Sequence, residues 1–101
     1  MPEPDLALDR LIHEPGRLAI LTVLSSASDA DFLFVQRATG LTKGNLSSHL
    51  AKLEDAGLVA IEKRFIRKKP NTSVSITDTG RERIARHWDQ LARIKDLGST
   101  L

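Results

Sequence analysis

Ser47, Ser48 and His49 stand in a row, a nucleophile beside a base, and with His13 and His87 they are the residues best equipped for covalent or metal chemistry. Their spacing does not allow it. Adjacent residues of a helix point about 100° apart and do not face one another, so the Ser-His run forms no nucleophile–base pair. The three histidines are scattered without ligand spacing, and no carboxylate cluster accompanies them. Cysteine is absent, which removes thiolate metal sites, disulfides and a cysteine nucleophile together. A glycine-rich phosphate loop of Walker or Rossmann type is missing as well. The sequence therefore predicts no enzyme, no metal site and no cofactor.

The side chains better placed to act are those that bind. The stretch GLTKGNLSSHLAKLEDAGLV, residues 40 to 59, holds Leu46, Leu50 and Leu53 at i, i+4 and i+7, which line up on one side of a helix. Opposite them fall Gly44, Ser48, Ala51, Lys52 and Asp55, with Asn45 and Ser47 towards the flanks and His49 beside the leucine stripe. Thr42 suits the N-cap and Gly57 a left-handed stop, giving a helix from about Lys43 to Ala56. A leucine stripe that anchors one face, opposite a slim hydrogen-bonding face, suits entry into a DNA major groove. There bulky side chains would hinder close approach, while Asn, Ser and Lys can meet bases or phosphates.

The rest of the chain must position that helix. A length of 101 residues predicts one domain with one core. Hydrophobic residues at 41% and charged residues at 28% describe a globular chain. The N-terminus MPEPDLALD is acidic where a secretory signal would be basic, and no apolar run is long enough to span a bilayer, so the expected location is cytoplasmic, without a membrane partner. Charge is polarised along the chain. Residues 1 to 36 set two arginines against six acids, whereas residues 37 to 69 set eight Lys or Arg against three acids. Such a patch steers and orients a polyanion.

In chain order, an apolar piece from Leu6 to Ile12 precedes Pro15-Gly16. Pro15 suits the first turn of a helix running from Gly16 to about Ser25, whose Leu18, Ile20, Leu21 and Leu24 mark it as the buried scaffold. After the polar SSASDAD, a second helix begins near Asp31, carries Phe32, Leu33 and Val35, and ends at Gly40. A turn of three or four residues containing glycine then makes residues 31 to 57 a helix-turn-helix.

Past Gly57 the period becomes two: Val59, Ile61, Lys63 and Phe65 predict one strand, and Thr72 to Thr77, with Val74 and Ile76, a second. The intervening FIRKKPNT reads as an extended hairpin tip, including its Pro70-Asn71 step, and Lys63, Arg64, Arg67, Lys68 and Lys69 put five cations within seven residues. A basic hairpin over residues 59 to 77 directly after a helix-turn-helix is a wing, able to reach phosphates or the minor groove. The last segment, 78 to about 97, predicts a long helix capped by Asp78 or Thr79, with Ile84, Trp88, Leu91 and Ile94 as its stripe. At about 30 Å it is longer than the face a domain of this size offers, and Trp88 suits a subunit interface. The fold class predicted is mainly α with a small β-hairpin: a winged helix-turn-helix with a long C-terminal helix.

This order of elements, and above all LTKGNLSSHLAKLEDAGLV and the I-T-x-x-G-R segment at Ile76 to Arg81, resembles the small winged-helix transcriptional regulators of the MarR and ArsR type, in their short form. The resemblance covers roughly Glu14 to Trp88 and implies DNA binding as a homodimer. It carries two departures: Arg67 and Lys68 stand where the wing turn of such regulators often has glycine, and an aromatic residue common near Val74 is absent. The cysteine-based metal sensing of ArsR-type proteins does not carry over.

The expected function is sequence-specific binding of double-stranded DNA in transcriptional regulation, and a small-molecule effector is compatible with it. The DNA-facing residues would be Thr42, Lys43, Gly44, Asn45, Ser47, Ser48, His49 and Lys52 on the helix, and Lys63, Arg64, Arg67, Lys68 and Lys69 on the wing. Leu8, Leu11, Ile84, Trp88, Leu91 and Ile94 would form the dimer interface. The alternative is a winged helix used as a protein-interaction module without DNA binding, which would neutralise its wing or expose apolar residues on the third helix.

Overall fold

A computed structural model describes residues 8 to 27 and 29 to 100, with the backbone alone at residue 100. Part of the predicted N-terminal apolar piece, Leu6 included, lies outside the described residues. The elements run α1 (Pro15–Ser26), β1 (Ala30–Asp31), α2 (Phe32–Thr39), α3 (Lys43–Asp55), β2 (Val59–Ile66), β3 (Lys69–Ile76) and α4 (Asp78–Leu97), closed by a 3₁₀ turn at Gly98–Thr100.

Local chemistry sets the bounds. Pro15 opens α1, where its missing N–H costs nothing, and Glu14 caps it by accepting from the Arg17 amide at 2.8 Å. Asp31 caps α2 through the Phe34 amide at 2.8 Å, and Gly40, at φ 73°, ends it in the left-handed conformation that glycine adopts without strain. Gly40, Leu41 and Thr42 are the whole turn before α3. Thr42 caps α3 as predicted, accepting from the Asn45 amide at 3.1 Å, and Gly57 follows at φ 75°.

Ile20, Leu21 and Leu24 of α1, Val35 of α2, and Leu46, Leu50 and Leu53 of α3 meet Ile12, Leu58, Val59, Val74 and Ile84 in one core. Both sequence stripes thus point inward as expected, and Leu18 packs at their margin. Leu33 differs: it is exposed and lines the groove between α3 and the wing.

The sheet holds more than a hairpin. β2 and β3 pair antiparallel from Val59↔Ile76 to Ile66↔Lys69, and a third strand, β1, adds Ala30↔Val74 and Asp31↔Ser73, in the order β1-β3-β2. Two residues are too short to show a period, which is why the sequence read them as loop and helix cap. The tip is tighter than predicted. Pro70-Asn71 lies inside β3, and the connection is Arg67-Lys68 alone, both residues left-handed at φ 51° and 65°. That is the geometry whose twist matches a two-residue hairpin. Pro70 is tolerated because β1 stops short of it, so its missing N–H faces an unpaired edge.

α4 is capped by Thr77, not by Asp78 or Thr79: the Thr77 hydroxyl accepts from the Gly80 amide at 3.0 Å and donates to the Gly57 carbonyl at 2.7 Å. The Thr77 amide reaches the Leu58 carbonyl at 3.0 Å. Gly80 passes so close to that carbonyl that a Cβ there would overlap it and the Ile76 side chain. Arg81 then donates to the Ser25 carbonyl at the end of α1, 3.1 Å away. The I-T-x-x-G-R segment is therefore the clasp that fixes where α4 leaves the sheet.

Candidate nucleic-acid interface

The outer face of α3 is exposed along Lys43, Gly44, Asn45, Ser47, Ser48, Ala51 and Lys52, with Thr42 exposed at its cap. None of these is a large apolar residue. Lys43, Ser47 and Ala51 look across an open groove of about 650 Å³ towards Ile61, Lys63, Pro70 and Thr72 of the wing, with Phe32 and Leu50 also on its lining. Seven of the helix residues predicted to face DNA are thus exposed on one helix, and two of them, Lys43 and Ser47, line the groove it forms with the wing.

His49 does not share it, which corrects its place in that set. Its ring turns inward, its side chain only 18% exposed; Arg17 donates to Nδ1 at 3.2 Å, and Nε2 lies 3.7 Å from Glu14. The ring rests over the start of α1, where a Cβ at Gly16 would stand 2.7 Å from it. Burial raises the Glu14 carboxyl, but the amides of Arg17 and Gly16 and the charges of His49 and Arg17 outweigh it and hold it below its ordinary value. His49 braces α3 against α1.

On the wing, Lys63, Arg67, Lys68 and Lys69 are exposed and make no ion pair among the described residues. Arg64 is committed elsewhere. Its Nε donates to Asn71 at 3.0 Å and its Nη2 lies 3.3 Å from Asp29, while Asn71 donates in turn to Asp31 at 3.1 Å. The Phe34 amide, then the Asn71 side chain, hold Asp31 ionised below its ordinary range, against a smaller effect of burial. This polar chain ties the wing to the start of α2. Sequence reasoning treated Asn71 as a turn former, since nothing local signals a partner 40 positions away.

Of the residues predicted for a dimer seam, Ile84 is corrected: it is 4% exposed inside its own core and offers no surface. Leu11 packs against the same core, and Leu8 lies beside Arg83, Arg86 and Gln90. Beyond His87 no described residue of α4 is buried; Trp88 is 43% exposed and Leu91 and Ile94 are half-buried. The histidines read as scattered are in part brought together. His13 Nδ1 meets His87 Nε2 at 3.2 Å, with His87 fully buried and its Nδ1 unpartnered. Nearby, Arg83 donates twice to one oxygen of Asp9, at 2.7 and 3.0 Å. Among the described residues no three His, Cys, Asp or Glu gather as metal ligands.

A helix-turn-helix whose second helix keeps a free polar face, followed at once by a basic β-ribbon, defines a winged helix domain. The model of the winged helix DNA-binding domain family matches residues 17–94, and the chain belongs to that family. It is 37% identical over 72 residues to an uncharacterised protein of Methanocaldococcus jannaschii, covering 71% of this chain and 78% of that one. Among solved structures it is similar to a transcriptional regulator homologue from Pyrococcus horikoshii, with 36% identity, a TM-score of 0.84, and 96% and 95% of the two chains covered. A MarR family regulator from Silicibacter pomeroyi shares the fold at 22% identity and a TM-score of 0.70, over 86% of this chain and 57% of that one. No helix among the described residues is long and apolar enough to cross a membrane.

Proposed function

We propose that this protein is a transcriptional regulator, a single winged-helix domain that reads double-stranded DNA by sequence as a homodimer in the cytoplasm. In this reading α3 lies in the major groove, with Asn45 and Ser47 at base edges and Lys43 and Lys52 at phosphates. Arg67, Lys68 and Lys69 hold the adjacent backbone, and the sugar–phosphate strand passes through the groove between helix and wing. The observation that carries it is the exposed face of α3 beside the basic wing, which bears Lys43, Asn45, Ser47, Ser48 and Lys52 and no large apolar side chain, with Glu54 the one acid of α3 on the groove between them. A protein-interaction module would instead present apolar residues on α3, and none of the exposed large hydrophobics described lies on that helix, although Leu33 of α2 reaches the groove beside it. The exposed half of α4, with Trp88, Leu91 and Ile94, supports pairing of two copies.

Selection of bound fragments from random duplex DNA at two salt concentrations tests both parts. The expected result is a pseudo-palindrome whose half-sites are centred one helical turn, or a multiple of it, apart. Recovery of no preferred sequence at either salt concentration would refute sequence recognition; an unrepeated site bound by one copy would refute the dimer.

A further inference from the structure

Phe65 is 76% exposed, more than any other large hydrophobic residue described. It stands on the wing opposite Pro70, four pairs beyond Ile61↔Val74, the last pair that packs in the core. Side chains alternate along a strand, so Val59, Ile61, Lys63 and Phe65 share one face. Val59 is buried, Ile61 packs against the core, and Lys63 and Pro70 line the groove opposite Lys43 and Ser47. Phe65 is therefore the outermost member of the face that looks towards α3. Free cations surround it: Lys63, Arg67, Lys68 and Lys69 have no acidic partner among the described residues. The support beneath it is stiff, because the hairpin ladder runs unbroken to Ile66↔Lys69 and closes in two residues, neither of them glycine.

We propose that Phe65, backed by Pro70, is an apolar wedge that the wing presses between base pairs in the minor groove, so that the tip deforms the duplex as well as neutralising its phosphates. The proposal rests on the DNA-binding reading above. An aromatic ring held out of the core gains most from an apolar surface, and the broadest flat apolar surface that duplex DNA offers is the face of a base. The flanking cations favour that partner and disfavour a second copy of the same basic tip. Phe and Pro are side chains with which minor-groove proteins unstack a step. Because unstacking costs least at flexible pyrimidine–purine steps, the wedge would also select sequence at positions α3 does not touch.

The test uses the full chain and a selected operator carrying 2-aminopurine at successive positions under the wing, with a donor and an acceptor dye on the duplex ends. The parent protein is expected to raise 2-aminopurine emission at one or two adjacent steps and to shorten the end-to-end distance. Phe65→Ala should abolish both signals and weaken binding about tenfold or more, leaving the slope of log K against log[salt] unchanged. Phe65→Leu, which keeps an apolar side chain, should retain most of the signal. Lys68→Ala should keep the emission change and make the slope shallower by about 0.9. Salt-dependent binding by the parent with no emission change overturns the wedge while leaving DNA binding intact. No binding by the parent at low salt overturns both. If Phe65→Ala leaves the DNA signals unchanged, the proposal is overturned, and sedimentation of the protein alone and binding to phosphatidylserine vesicles would show whether the tip serves a second copy or a lipid surface.

Discussion

At the scale of single residues, Gly80 shows most directly how sequence constrains placement. A methyl group there would collide with the Leu58 carbonyl, which is backbone and cannot swing aside. Gly80→Ala should destabilise the protein by about 1 to 3 kcal/mol, the usual range for overpacking a tightly packed position, seen as a lower urea midpoint. Asn45 is the opposite case, exposed and free of packing duty. Asn45→Ala should leave stability nearly unchanged and relax preference at one operator position by roughly 1 to 3 kcal/mol if its amide pairs in bidentate fashion with a base; binding to a panel of single-base operator variants checks this. His87 adds a pH effect. Burial, and then the charge of His13, lower its pKa below the ordinary 6.5. As pH falls through about 6.5 the unfolded chain takes up a proton that the native chain refuses, so stability should fall until the lowered native value is passed. His87→Leu should flatten that loss in urea titrations at stepped pH. The contribution of Asp9 belongs to a more acidic window. Burial raises its carboxyl, but Arg83 and the amides of Ile12 and Leu11 together outweigh that and hold it below 3.8, so its stabilisation is present above that value and lost as pH falls through the native one.

At the scale of elements, what was legible followed from periodicity and caps. The leucine stripe of α3, Thr42, Gly57, Asp31 and Gly40 all act within a few residues of one another, and each was readable because a helix end is a local hydrogen-bonding problem. The two-residue β1 was not readable, since its pairing with β3 is made more than 40 positions away in sequence. The wing turn was placed at Arg67 and Lys68 by the resemblance, but its two-residue tightness was not readable, because both take the left-handed conformation usually given to glycine or asparagine. The inward turn of His49 was half readable: its place beside the stripe allowed packing or a phosphate contact, and only the approach of Glu14 and Arg17 decides between them. The wing should grip phosphates independently of α3. Replacing Arg67, Lys68 or Lys69 with Ala is expected to weaken binding to every sequence alike and to lower the salt slope by about 0.9 for each phosphate left without its cation; titrations at several salt concentrations measure it.

At the scale of the whole molecule, α4 divides into a clasped half and a free one. Gly80, Ile84 and His87 are buried, and nothing described beyond them is. If two copies meet along Trp88, Leu91 and Ile94, a charge at Leu91 should part them by roughly 3 kcal/mol, about a hundredfold in dissociation constant, while each recognition helix and wing stays folded. Sedimentation of Leu91→Glu, with circular dichroism as the control, checks this expectation. The join between wing and helix has a mechanical consequence. β3 ends at Ile76 and α4 begins at Asp78, so Thr77 is the only link, and its hydroxyl and amide are both anchored to the turn after α3. Such a joint has no slack. Since Ile84 and His87 hold the first half of α4 in the domain, only the part beyond His87, about 15 Å long, can act as an arm, and a load on it would pass through the clasped half to Thr77 and the strand that carries Pro70. If two copies pair along the free end of this rod, the way they grip would bear on the angle at which each wing meets DNA.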